Sequence, residues 1–223
     1  MIMRSLGTNS EHRESRARGF SLLEMVAVLA ITMILASITF LSLRPVMNQQ
    51  HVTNAYNTTL SAMRLARDNA VSQRTSYSVT FSNAATPNTV VVAPTLLGFT
   101  GDLNTVTYQL PTDVKFDAEP TVAATPTPDG FGTGAQAIDF GYAASGNVGG
   151  ATVNTIYFCP DGSAQTAICN SGNWSNNWDN GVVYIARPGE VLSSRAITLW
   201  GGTGRVRGWR LYLTGGVYQW QRQ

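Results

Sequence analysis

Lysine is almost missing from this chain: Lys115 stands alone among 15 basic residues, which face 13 acids. Charged residues make up only 13% of the sequence while 43% is hydrophobic, a balance that excludes an intrinsically disordered chain. Histidine is as scarce, with only His12 and His51, and His51 alone beyond residue 19. A Ser-His-Asp or Cys-His constellation therefore has no material to draw on. Cys159 and Cys169 with His51 on a different element do not make up a metal site. The Gly201-Gly202-Thr203-Gly204 run lacks the Lys-Ser/Thr of a phosphate loop and precedes a strand pattern, not a helix. Asp161 beside Gly162 fits turn chemistry better than half of a carboxylate pair. Nothing supports catalysis, and neither a cofactor nor a metal is expected.

What the chain has instead is one apolar run, residues 20–43, which opens directly after Arg16-Ala17-Arg18-Gly19 and turns polar at Arg44. Its residues, at roughly 1.5 Å of rise each, make a helix of about 36 Å, enough to cross a hydrocarbon core of roughly 30 Å. Arg13, Arg16 and Arg18 on its amino side predict that this end stays cytoplasmic. A single acid, Glu24, interrupts the run at its fifth position. A carboxylate there costs about 2.5–3.5 kcal/mol even on the lenient insertion scale, so it needs a functional reason. A secretory signal peptide has a shorter core, about 7–15 residues, with its cleavage site behind it. An ordinary signal anchor accounts for the hydrophobicity and the arginines, but not for Glu24 or the Gly19-Phe20 junction.

The text Arg18-Gly19-Phe20-Ser21-Leu22-Leu23-Glu24, leading an otherwise apolar helix, resembles the prepilin N-terminus shared by type IV pilins and type II secretion pseudopilins. That resemblance implies cleavage after Gly19 by a membrane prepilin peptidase and N-methylation of Phe20. It implies that Glu24 pairs with the terminal amine of a neighbouring subunit during assembly. The partners implied are other pilins or pseudopilins, the peptidase, the inner-membrane assembly platform and membrane lipid. The location implied is the bacterial inner membrane, crossed once with the leader cytoplasmic and the head periplasmic, and then a periplasmic or surface filament.

Beyond Pro45, which should kink the helix or mark its exit from the bilayer, Val52, Tyr56, Leu60, Met63, Ala66 and Ala70 recur at spacings of three and four. Arg64, Arg67 and Asp68 fall off that stripe and should face solvent or a neighbouring subunit. From Ser76 the period changes to two, with Tyr77, Val79 and Phe81 alternating with Ser and Thr. Further strands are expected at 89–92, 106–110, 114–116, 137–142, 153–159, 182–186, 196–200, 205–213 and 217–220. Long surface loops are expected at 118–134 and 170–181, the second holding Trp174 and Trp178. The fold expected is α+β and pilin-like: a long N-terminal helix, its first half transmembrane, packed on a mostly antiparallel β-sheet head. The divisions are a leader at 1–19, a transmembrane half at 20–43, an amphipathic half at 44–75 and a β-rich head at 76–223. In an extracytoplasmic head, Cys159 and Cys169 would close a short disulfide loop; two free buried thiols are the alternative.

Charge is blocked along the head. From Ser76 to Glu190 nine acids face Lys115 and Arg187, whereas residues 191–223 hold Arg195, Arg205, Arg207, Arg210 and Arg222 and no acid. Such blocks suggest self-association or an anionic ligand at the basic end. The order Ile156-Tyr157-Phe158-Cys159-Pro160-Asp161-Gly162, Val182-Val183-Tyr184-Ile185, Ser194-Arg195-Ala196-Ile197, Gly204-Arg205-Val206-Arg207 is similar to the GspH/FimT branch of minor pilins. Departures are the insert around Trp174 and Trp178 and the residues after Arg207. In FimT-like members the Gly-Arg-x-Arg element is associated with DNA capture, so the resemblance implies Arg205 and Arg207, with Arg210 nearby, as candidates to meet double-stranded DNA. On a strand Arg205, Arg207 and Trp209 should share one face, exposed, with Arg210 on the other. The competing reading pairs the arginines with acids of the same head or of the next subunit. Three functions stay open: a structural subunit of a type IV pilus or secretion pseudopilus, a DNA-binding minor pilin, and an unrelated membrane-anchored periplasmic domain.

Overall fold

The apolar run and the striped segment behind it form one helix, α1 (Leu22–Gln73), which continues through Pro45. The computed structural model describes residues 20–84, 86–95, 104–119, 122, 126–143, 153–169 and 178–223. The chain divides into two units between Arg44 and Pro45. In the first, the apolar side chains are exposed, with Leu22, Ile31 and Phe40 among them. Three of its hydroxyls bond backward onto the helix itself: Thr32 to the Leu29 carbonyl, Ser37 to Ile34 and Thr39 to Leu35. These three hydroxyls then need no water, a condition for life in a nonpolar medium. An 18-residue window reaches a mean hydropathy of 2.5, which makes this a candidate membrane span by length and composition.

Among the described residues of the second unit ten strands follow the helix. They are β1 (Ser76–Ser82), β2 (Thr89–Thr95), β3 (Val106–Gln109), β4 (Ile138–Ala143), β5 (Thr155–Phe158), β6 (Ala164–Gln165), β7 (Asp179–Ile185), β8 (Arg195–Trp200), β9 (Arg205–Thr214) and β10 (Val217–Arg222). All pairings among named strands are antiparallel, in two sheets ordered β3-β2-β1-β5-β6 and β10-β9-β8-β7-β4. The expected α+β, pilin-like architecture is the observed one.

The stripe on α1 meets both sheets. Val52, Tyr56, Met63, Ala66 and Ala70 are buried in one core with Val79, Phe81, Ile156 and Phe158 of the first sheet and Ile185, Ile197, Leu199 and Val206 of the second. Ala55, Thr59 and Ala62 also turn inward, while Leu60 is only partly buried. Four alanines on this face let a sheet approach the helix closely. The sharpest case is Gly208 of β9: a Cβ there would lie 1.5 Å from the Tyr56 hydroxyl oxygen. Only glycine allows β9 to pass this buried ring.

Several expectations need correction. The segment 114–116 is not a strand; only Lys115 bridges, to Ala186. The short β6 was hidden because a two-residue strand has no readable period. The described residues of the stretch expected as a surface loop at 118–134 instead cover the outer face of the second sheet. Its Val122 and Phe131 are buried there in a second cluster with Val182, Tyr184, Ala196 and Leu211. The other expected loop, at 170–181, lies outside the described residues up to 177, and its last residues, Asp179 to Gly181, begin β7.

Cys159 and Cys169 are bonded, with Cα atoms 5.6 Å apart, and both are buried. Between them Asp161 acts as a turn residue: its Oδ1 accepts from the Ser163 backbone N–H and hydroxyl. This crosslinked hairpin abuts the β8–β9 turn, where the Ala164 N–H donates to the Gly201 carbonyl at 2.7 Å.

Candidate functional site

The two candidate sites lie far apart in sequence, one around Glu24 and one around Arg205, Arg207 and Arg210. Gly19 falls outside the described residues. Phe20 is exposed, and Glu24 sits exposed in the first turn of α1, where a carboxylate also meets the positive end of the helix dipole. Among the described residues no ion pair or hydrogen bond engages the Glu24 carboxylate.

The arginines of the tail are not brought into one cluster. Alternation on β9 places Arg205, Arg207 and Trp209 on the outer face and Val206, Gly208 and Arg210 toward the helix. Arg205 is exposed, but the expectation of an exposed Arg207 is overturned. Its side chain is 23% accessible, and Nη1 donates to Asp129 Oδ1 at 2.9 Å. The other oxygen of Asp129 accepts from the Thr198 hydroxyl at 2.6 Å and the Trp200 indole at 3.1 Å. The Trp209 indole in turn donates to Thr198. The guanidinium also lies over the Trp200 ring, 5.1 Å from its centroid. Asp129 is 78 residues away in sequence and sits at φ 55, a left-handed conformation that Asp tolerates better than most residues.

Arg210 faces inward, over the Tyr212 ring, beside the buried Arg195. Burial first, and then the Arg210 charge, push the Arg195 guanidinium down to about 10, so it remains a cation at neutral pH. Its Nη1 donates to the Ser193 and Ser194 carbonyls. Tyr56, in the same region, has its hydroxyl pKa raised by burial.

Arg205 instead finds arginines that the stripe on α1 set aside. Arg64, Arg67 and Asp68 of α1 and Trp200, Arg205 and Arg207 of the β8–β9 hairpin line an open cleft of about 610 Å³. Arg67, expected to face solvent or a neighbour, is tied into the head: its Nε donates to the Thr203 carbonyl at 3.1 Å. The glycine of Gly204-Arg205-Val206-Arg207 has a local reason. It has φ +57, and a Cβ there would come within 2.2 Å of the Gly162 carbonyl oxygen. His51, expected on an exposed stretch, donates its Nδ1–H to the Asp113 carboxylate, 2.9 Å away, and Arg187 approaches the same carboxylate.

Residues 15–40 match the family model for the prokaryotic N-terminal methylation motif. No curated protein and no solved structure matches the chain. The matched motif indicates a type IV pilin-like prepilin, a class that is processed by prepilin peptidase and assembles with other pilins.

Proposed function

We propose that this chain is a minor pilin or pseudopilin of the GspH/FimT kind, a structural subunit of a type IV pilus or type II secretion pseudopilus. The observation that carries the reading is the methylation motif placed on an apolar helix whose continuation is the buried stem of a β-head. The chain inserts in the inner membrane with its head periplasmic, is cut after Gly19, and carries a methylated Phe20. Glu24 then pairs with the Phe20 amine of a neighbour, which removes the cost of two charges buried in an apolar medium and sets the stagger between subunits. Removing one partner of such a pair costs about 3–5 kcal/mol.

Mass spectrometry of the membrane-extracted protein tests this: the mature amino terminus is Phe20, methylated, and Gly19→Val blocks cleavage while leaving insertion intact. A full-length chain starting at Met1 or Met3 in cells that carry the peptidase would sink the reading. Glu24→Val inserts at least as well as wild type but fails to co-purify with partner pilins.

A second reading, a DNA-binding minor pilin, is favoured by the convergence of Arg64, Arg67 and Arg205 on one cleft with Trp200 at its side. These three guanidinium groups, rather than Arg207 and Arg210, would meet the phosphates. Binding of duplex DNA by the full chain in detergent then weakens with salt, with a log–log slope of roughly −2 to −3. Arg64→Gln with Arg205→Gln lowers that slope by about two. Absence of binding at low salt leaves the structural reading alone.

A further inference from the structure

Arg195 of β8 and Arg210 of β9 stand directly opposite each other across the strand pair, on the face turned to α1. Like charges in that register destabilise a sheet unless something sits between them. Arg195 is only 4% exposed, and its Nη1 is spent on the Ser193 and Ser194 carbonyls. Neither guanidinium forms an ion pair among the described residues. The Arg210 side chain makes no hydrogen bond either and rests on the Tyr212 ring, 5.1 Å from its centroid. Its Nε is buried, but its two terminal nitrogens keep accessible surface.

The two arginines line a cleft of about 430 Å³ together with Gln49 and Val52 of α1, Glu190 and the short turn Val191–Ser193. Glu190 is the one acid on that lining, and its carboxylate holds Arg187. Arg187 in turn shares Asp113 with His51, so these charges are met among themselves. The stem adds no acid here: past Pro45 the only one on α1 is Asp68, beside Arg67. The cleft is left with two guanidinium groups in surplus, donors whose planar forks suit the oxygens of a phosphate.

Position selects the source of that phosphate. Arg205 lines a cleft with Arg64 and Arg67, Gly208 passes Tyr56, and Arg210 lines its cleft with Gln49 and Val52. β9 thus runs back along α1 toward Pro45, and its turn into β10, with Leu213 and Val217 exposed, lies farther that way. Leu192, 51% exposed, stands on the rim of the cleft itself. Gln49 follows Leu43, the last residue of the apolar run, by six positions, so chain length alone keeps it within about 22 Å. Exposed apolar side chains around a cationic cleft suit the boundary between headgroups and acyl chains. A neighbouring subunit's carboxylate would meet these arginines only after assembly, whereas a lipid phosphate is within reach from insertion onward. We propose that this cleft holds the phosphate of an anionic phospholipid headgroup from the adjoining membrane leaflet, with Arg195 and Arg210 as its donors. The inference rests on the membrane-anchored part of the proposed function and not on cleavage or filament role.

The test uses the full chain in an uncharged detergent and follows a tail-labelled phosphatidylglycerol by fluorescence anisotropy. Unlabelled phosphatidylglycerol displaces the label roughly tenfold better than phosphatidylcholine, and inorganic phosphate at roughly 10 mM displaces little of it. Arg210→Gln weakens retention of the lipid about fivefold to tenfold. Arg222→Gln, an equal loss of charge at an exposed position on β10, leaves retention unchanged. Gln49→Glu, on exposed helix surface, sets a competing carboxylate against the pair; it weakens retention about fivefold and stands in should Arg210→Gln not fold. The leader arginines are common to every variant, so differences among variants report the cleft. The inference is overturned if the two lipids compete equally, if inorganic phosphate displaces the label fully, or if neither Arg210→Gln nor Gln49→Glu alters retention. It is also overturned, in favour of a neighbour's acid, if Arg210→Gln keeps the lipid but no longer co-purifies with partner pilins. A chain that alkaline carbonate washes from membranes sinks the anchored reading too, whereas an anchored chain without lipid preference sinks this inference alone.

Discussion

The two halves of α1 share a secondary structure and oppose each other in every other respect. Before Arg44 the helix is apolar all round: Met33 is 64% exposed and Phe40 74%. After Pro45 it is striped, and Met63 and Ala66 on the stripe are fully buried by the chain's own sheets. A helix hydrophobic on every side has no solvent face to offer, so its burial must come from lipid or from other helices. A striped helix carries its own instruction for which side meets the sheets. The same side-chain type therefore does opposite things in the two halves: methionine holds a domain together in one and faces the surroundings in the other.

Gly208→Ala attacks the seat of the striped half and should have the largest effect. A methyl group cannot coexist with the Tyr56 hydroxyl, so the helix and β9 must part, at a cost of about 3 kcal/mol or more. Calorimetric melting should show a fall of roughly 6–12 °C. Adding Tyr56→Phe to this variant should recover part of the loss, which would locate the clash at that oxygen.

Paired methionine truncations sharpen the contrast. Met63→Ala should destabilise the head by about 2–4 kcal/mol, because it leaves a cavity between helix and sheets. Met33→Ala should leave the same melting transition where it was. Equal effects from the two would mean that the front half is packed on the head, and the comparison would fail.

Alkaline pH gives the smallest effect, confined to the striped half. Tyr56 has a folded pKa raised by burial, so its contribution to stability is complete below pH 10 and is lost as pH rises through the folded value. Arg195 runs the other way. Its folded pKa, about 10, lies below the unfolded value, so the unfolded state binds more protons between the two and stability gains as pH rises there. Denaturant titrations above pH 10 should therefore lose stability less steeply in Tyr56→Phe than in wild type, and more steeply in Arg195→Gln.

Much of this was legible in sequence where the signal is local. The stripe from Val52 to Ala70 and the alternation of Tyr77, Val79 and Phe81 both fall on buried faces, because period follows directly from helix and strand geometry. The face-sharing of Arg205, Arg207 and Trp209 was equally readable. Their surroundings were not. Arg207 is held by Asp129, and Arg205 shares a cleft with Arg64 and Arg67, contacts made across large separations that no spacing rule reaches. The stretch at 118–134 misled for a related reason: proline and glycine mark irregular backbone, but irregular backbone can be a covering layer as well as a surface loop.

By itself the sequence determined the apolar run with Glu24 inside it, the striped stem behind it, and an antiparallel head, because each is written in composition or in a short period. The tertiary structure alone decided which charges are free. An arginine on a strand is exposed or engaged according to what folds over it, and here a segment from the middle of the chain brings Asp129 onto Arg207 while leaving Arg205 open. Pairing of that kind depends on desolvation and distance, quantities that exist only once the chain has closed on itself.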